Sequence, residues 1–196
     1  MSAKTYIWRN YLSTWNRKEV QWQTCEMTDY QYNLAGVAFN NWRARFGRGI
    51  YHTYVGENCD RANDNSLRVW ATIDGNVIRE HCGSVNVIGC FKPYSCIDSR
   101  GEWNEWCSPG VNKVLQARIV YNWYRLLYDP GLRENPLAQI HVFGHEFGHG
   151  MGLEDHGPCN EPLVMTQGCE HMVNAGAYPN DVCVPDRLLG YTPLRC

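Results

Sequence analysis

The chain has 196 residues, of which 44% are hydrophobic and 19% charged, and its formal net charge is −2. This length suits a single domain, and the composition is that of a globular protein rather than a disordered one. No run of Lys or Arg provides the electrostatic footprint of a nucleic-acid or membrane-surface binder, and no apolar stretch is long enough to span a bilayer. We therefore expect a globular monomer with no nucleic-acid or membrane partner.

Ten cysteines are spread along most of the chain, and none forms a C-x-x-C pair. Zinc ribbons and redox motifs need that close spacing, so the pattern favours an extracellular disulfide framework with up to five bridges. The N-terminal stretch MSAKTYIWRN has no hydrophobic core of the signal-peptide kind. A secreted protein would therefore be represented here by its mature form, with its signal and any pro-segment removed.

The first half of the chain predicts one helix and several strands. Apolar residues at helical spacing predict an amphipathic helix over about 29–46, ended by Gly47. The segments 49–55 and 67–74 have the character of strands, and the second alternates apolar and polar residues. Asp74-Gly75 is a turn signal that predicts a hairpin.

The segment 85–110 mixes a short strand with a loop rich in Cys, Gly, Pro and Trp. The next segment, 111–129, is ambiguous: alternation favours a strand over 117–123, yet the length also suits a helix. A second helix begins at Asn135, with Pro136 where helix starts prefer it. This helix contains three glycines, each costing roughly 0.5–1 kcal/mol relative to Ala. Tertiary packing or a bound ion must therefore stabilise it.

The clearest chemical signal is HEFGHGMGLEDHGPCNEPLVM, which begins at His145. His145 and His149 are four residues apart, so on a helix they share one face, about 6 Å apart along the axis, and can bind one ion. Glu146 then lies beside the metal, where a base acting on an activated water belongs. The alternative for this stretch alone is a chance match, since five-residue patterns do recur.

The residues that follow extend the pattern to H-E-x-x-H-x-x-G-x-x-D. Gly152 can adopt the left-handed conformation that ends the helix and turns the chain back. The residue three positions later then reaches the metal from the other side. In the metzincin pattern this residue is His, whereas here it is Asp155, and His156 comes one position too late.

Over these 20–30 residues the chain closely resembles snapalysins, small secreted neutral proteases of the metzincin clan. The resemblance is carried by Asp155-His156, by the Gly157-Pro158-Cys159 run and by Met165, ten residues after Asp155. It implies that Asp155 is the third zinc ligand and that Met165 forms the Met-turn below the metal. The family's calcium-binding pair falls on Ala138 and Ile140, which lack a suitable side-chain oxygen, so calcium is not predicted.

The resemblance also implies an α+β fold and one metzincin-like catalytic domain spanning 1–196. Residues 1–152 would form an N-terminal lobe with a twisted sheet and two main helices, the second of which is the zinc helix. Residues 153–196 would form a loop-rich, disulfide-bonded C-terminal lobe.

The expected function is that of a secreted zinc endopeptidase acting on proteins or peptides. Zinc is held by His145, His149 and Asp155, and Glu146 is the general base in attack on the scissile carbonyl. The substrate is expected to lie extended along an edge strand upstream of the zinc helix.

Three further residues are candidates for the substrate cleft: His156, His141 and Tyr178. For His156 a surface-loop position is an equal alternative. His141 is on nearly the same helix face as His145, but a hydrogen-bonded, partly exposed histidine is the commoner case. Tyr178 could line the cleft or donate to an oxyanion.

Other functions stay open. A disulfide-rich binding module with a vestigial or structural zinc site is one alternative, although the intact Glu146 argues against it. Hydrolysis of a non-peptide amide is another, with a closed pocket replacing a groove. A thermolysin-like site with a downstream ligand such as Glu170 is disfavoured by the register of Gly152, Asp155 and Met165.

Overall fold

The computed structural model describes residues 19–46, 51–57, 66–97, 100, 102–104 and 113–150. This part of the chain has a mixed α+β architecture with one six-stranded sheet and four helices, as the α+β prediction expects. The elements in chain order are β1 (Glu19–Cys25), α1 (Asp29–Phe46), β2 (Tyr51–Glu57), β3 (Ser66–Thr72), α2 (Gly75–Cys82), β4 (Gly89–Ile97), β5 (Trp103–Asn104), β6 (Lys113–Asn122), α3 (Trp123–Tyr128) and α4 (Pro136–Gly150).

The strands lie in the order β2-β1-β3-β6-β4-β5. The first four are mutually parallel, whereas β4 runs antiparallel to β6 and β5 runs antiparallel to β4. The short β5 pairs only with Cys96 and Ile97 at the end of β4. Within the described ranges, the first part of β4 therefore has one backbone edge that pairs with no other strand.

Helices α1 and α4 cover one face of the sheet and form the main core with it. Alternate residues of the central strands, such as Leu67 and Ile119, are fully buried on this face. Phe147 of α4 packs edge-on against Trp22 of β1 and Phe39 of α1. Burying side chains of this size stabilises each by about 1.5–3 kcal/mol, which offsets the cost of the glycines in α4.

Helix α2 lies against the other face of the sheet, and it begins where Asp74-Gly75 predicts a hairpin. That prediction is wrong because Asp74 caps a helix instead of starting a two-residue turn. Its Oδ1 accepts a hydrogen bond from the backbone N–H of Asn76 at 2.8 Å. Gly83 ends the helix in the left-handed conformation, with φ of 77°.

The helix prediction over 29–46 is confirmed by α1, and the one that begins near Asn135 is confirmed by α4. Strands β2 and β3 occupy the two predicted strand regions. The ambiguous segment 111–129 contains both a strand, β6, and a helix, α3.

Asn122 is the last residue of β6 and the N-cap of α3. Its Oδ1 accepts from Arg125 N–H at 3.2 Å, which caps α3, while its Nδ2 donates to the carbonyls of Val85 and Val87.

One disulfide joins Cys82 at the end of α2 to Cys90 at the start of β4. Cys96 is also disulfide-bonded. The predicted C-terminal lobe, 153–196, lies outside the described residues. No helix in the described segments combines the length and apolar character needed to cross a membrane.

Candidate metal centre

Helix α4, which carries the predicted zinc ligands, is anchored at its start by polar side chains. Asn135 precedes the helix and accepts a hydrogen bond from Ala138 N–H through Oδ1 at 3.2 Å. Gln139, 2% exposed, donates to the carbonyl of Leu126 at 3.3 Å and accepts from the Tyr30 hydroxyl at 2.8 Å. These bonds connect the first turn of α4 to α1 and α3.

Two further hydrogen bonds hold the helix just before His145. The indole Nε1 of Trp42 donates to Gly144 O at 2.7 Å, and the Tyr121 hydroxyl donates to Phe143 O at 2.9 Å. The Tyr121 ring also stacks on Phe143, with centroids 3.9 Å apart. Because one donor comes from α1 and the other from β6, the backbone that carries His145 is fixed from two directions.

The two histidines of the motif converge. His145 Nε2 and His149 Nε2 are 3.2 Å apart, and the rings stand at 89° to each other, both half-buried. Zinc bound tetrahedrally at 2.0–2.1 Å from two imidazoles places their nitrogens about 3.3–3.4 Å apart. The observed pair therefore fits two ligand positions of one zinc ion.

The Glu146 carboxylate lies against the start of β4. Glu146 is 6% exposed, and a Cβ built on Gly89 would lie 2.9 Å from its Oε1 and Cγ. Gly89 is the strand partner of Tyr121 across β4 and β6. Burial, followed by the charge of Glu146, raises the pKa of Tyr121 well above its usual 10.0. Tyr121 therefore remains a protonated hydrogen-bond donor at neutral pH.

The role of Gly89 was not predicted from the sequence. An isolated glycine inside a strand is a known signal of close approach by another group, and in VIGCF it would have marked this position. For Trp42 and Tyr121 the sequence offers no comparable signal, because aromatic residues are common in any core.

The remaining predicted site residues separate into two groups. Those that lie outside the described residues are Asp155, His156, Met165 and Tyr178. His141 is described and is 2% exposed. Such burial gives no support to a contact with substrate, and that role stays a prediction. Among the described residues no three His, Cys, Asp or Glu side chains form a group that could hold a metal; the third ligand predicted from the sequence lies beyond them.

The chain matches no protein-family model and no curated protein sequence. The candidate function therefore depends on the chemistry of His145, Glu146 and His149 and on the strand beside them.

Proposed function

We propose that the protein is a secreted zinc-dependent endopeptidase with a metzincin-like, snapalysin-like catalytic domain. The observation that carries the proposal is the 3.2 Å approach of the two Nε2 atoms, on the helix that also carries the buried side chain of Glu146. A structural zinc site has four protein ligands and no use for an adjacent base. A buried glutamate that directly follows the first histidine of the pair supports a catalytic role instead.

His145 and His149 would hold the ion, and Asp155, from its position in the motif, would supply the third ligand. When bound, zinc polarises a carbonyl oxygen and lowers the pKa of a water molecule. Glu146 would accept a proton from the attacking water and return it to the leaving amine. The contact with Gly89 limits the positions that the carboxylate can occupy, which favours proton transfer along one direction.

The strand β4 supports a peptide substrate. Its first residues contact Glu146 and have a backbone edge that pairs with no strand in the described part of the chain. An extended peptide can add to such an edge through main-chain hydrogen bonds, which bind any sequence, while side-chain pockets supply selectivity. A closed pocket for a small amide would not need this edge.

The disulfides support an extracellular location. Cys82 and Cys90 are bonded to each other, and Cys96 is bonded as well. Such bonds persist in oxidising compartments and are rare in the cytosol.

The test is zinc content together with casein and peptide hydrolysis for the parent protein and for Glu146→Gln. Glu102→Gln is the matched control, because the Glu102 side chain is 69% exposed and lies in a surface ion pair with Arg100. We expect near-stoichiometric zinc in all three proteins, full activity in the control and a loss of about 10²–10⁴-fold in Glu146→Gln.

Equal activity of Glu146→Gln and the parent would refute the assignment of the base. Zinc in every protein with no hydrolysis by any of them would favour the binding-module alternative. Hydrolysis of small amides alone would favour the non-peptide alternative.

A further inference from the structure

Four polar residues form a lateral row across the sheet, on four adjacent strands. Gln23 of β1 is the direct partner of Arg68 on β3, and Arg68 is the direct partner of Arg118 on β6. Arg118 is in turn the direct partner of Lys92 on β4. Like charges placed directly opposite each other destabilise a sheet, yet here three cations follow one another.

The row lies on the face opposite the zinc helix. The neighbouring residues Trp22 and Leu67 belong to the core under α1 and α4, so the alternation of strands turns Gln23 and Arg68 the other way. Gln23 is 4% exposed and Arg68 7%, whereas Lys92 is exposed. The row therefore runs from the interior to the surface and is open to solvent at its Lys92 end.

Two aromatic rings flank both guanidinium groups. The Cζ atoms of Arg68 and Arg118 lie 5.5 and 5.4 Å from the Trp70 ring, and 5.2 and 4.4 Å from the Tyr94 ring. Arg68 also donates from Nε and Nη2 to the Tyr94 hydroxyl. These contacts attract the cations without supplying negative charge.

Within the described part of the chain, two buried N–H donors of the row have no hydrogen-bond acceptor: Nε2 of Gln23 and Nε of Arg118. Buried polar groups are nearly always paired, so each exception calls for an explanation. Arg118 and Lys92 also make no ion pair with a carboxylate in the described residues. Gln23 and Arg118 thus have donors without an acceptor in the described segments, and Arg118 and Lys92 carry positive charge that no described carboxylate balances.

His81 of α2 lies over this face, and the positive charges of the row affect its pKa. Its ring nitrogens lie 3.1 and 3.3 Å from Nη1 of Arg118. Burial lowers its pKa, and the charge of Arg118 is the next cause; Lys92 and Arg68 act in the same direction, while Glu80 opposes them. A neutral His81 accepts a hydrogen bond from Arg118 and adds no negative charge.

We propose that this row binds a tetrahedral oxyanion, a phosphate or sulfate group, seated over Arg118 between Arg68 and Lys92. Four oxygens around one centre can accept from several converging donors at once, and guanidinium forks match oxyanions of this kind. The anion would enter from the exposed Lys92 end and neutralise the excess charge. The site is independent of the proposed hydrolase activity.

The first measurement is thermal unfolding with increasing inorganic phosphate or sulfate, at constant ionic strength maintained with chloride. A ligand that binds only the folded state shifts the folding equilibrium about 100-fold when present at 100 times its Kd. We expect a saturable rise in Tm with either oxyanion, and none with acetate.

The variant Arg118→Gln should remove this rise and, in chloride alone, unfold at the same or a higher temperature, because a like-charge neighbour is lost. If that variant does not fold, exposed Lys92→Gln provides the test and should weaken binding several-fold. Arg79→Gln is the control: it removes a charge from α2 at an exposed position outside the row and should bind as the parent does. If phosphate instead bound to a metal ion elsewhere in the protein, it would stabilise the parent and all three variants equally, which would contradict a site at this row.

NMR titration of His81 is a second readout. Bound phosphate should raise the His81 pKa in the parent and in Arg79→Gln but not in Arg118→Gln. A Tm rise that is linear in salt and identical in every variant would be a general effect of excluded salts and would overturn the proposal. An equal, saturable response to acetate would overturn the tetrahedral specificity.

Discussion

Replacing Gly89 with alanine tests whether β4 positions Glu146, the proposed general base. The new Cβ would lie 2.9 Å from Cγ and Oε1 of Glu146, whereas ordinary contact begins at 3.4 Å. The carboxylate must therefore move by roughly 0.5 Å or more. Among the described glycines only Gly83 has a positive φ, so alanine introduces no backbone strain at position 89.

A misplacement of about 1 Å can reduce the rate 10²-fold. We therefore expect kcat of Gly89→Ala to fall about 10–100-fold, equivalent to about 1.4–2.7 kcal/mol. KM should change little, because the backbone edge of β4 is kept, and zinc content should stay near stoichiometric. Steady-state kinetics on one peptide substrate, with metal analysis, measure all three quantities.

The matched control is Gly36→Ala in α1, where an added Cβ meets nothing within 4 Å. It should leave kcat unchanged and raise the free energy of unfolding by about 0.5–1 kcal/mol, since alanine is the better helix former. Unchanged kcat in Gly89→Ala would refute the positioning argument. If Glu146→Gln were still inactive, the base assignment would survive and only the role of Gly89 would be lost.

Three further outcomes concern stability, measured by urea unfolding. Tyr121→Phe should lower the free energy of unfolding by about 0.5–1.5 kcal/mol, because the hydrogen bond to Phe143 O is lost. Burial raises the Tyr121 pKa in the folded state, so the contribution of Tyr121 to stability is complete below pH 10.0 and is lost above it. The loss of stability that this tyrosine causes at alkaline pH should therefore be seen in the parent and not in Tyr121→Phe. His81 has a lowered pKa, chiefly from burial, so its contribution is present above pH 6.5 and is lost as pH falls. His81→Gln should therefore flatten the stability profile below pH 6.5. Replacing Cys82 and Cys90 with serine should cost about 2.5 kcal/mol for a loop with sequence separation 8, and a milder loss would mean that the start of β4 is held by its strand pairing.

The long helices were predictable because their apolar spacing extends over many residues and matches one buried face. Strand β1 was not predicted, because it buries polar side chains, such as Gln23 and Thr24, among its apolar ones. Asp74-Gly75 was assigned to the wrong structure because an aspartate can begin a turn or cap a helix equally well. Which of the two occurs depends on whether α2 can pack on the sheet, and the local sequence does not show whether a sheet face is available there.

The candidate site, too, was only partly predictable from the sequence. The spacing of His145 and His149 places both on one helix face once a helix is assigned, and the 3.2 Å separation of their Nε2 atoms is compatible with that placement. The supports of the site come from distant segments: Trp42 is 102 residues away from the carbonyl it contacts. Such contacts depend on how the sheet and α1 assemble, so they became visible only in the folded chain.

The anchoring of α4 through the carbonyls of Phe143 and Gly144 has a consequence for metal uptake. A donor pair that is already held in place loses little conformational freedom when an ion binds, so less of the binding free energy is spent on ordering the chain. Chelation should therefore leave the far-ultraviolet circular dichroism of the protein almost unchanged. Zinc would bind here to a chain that is already folded, in contrast to zinc fingers, whose folding depends on the ion.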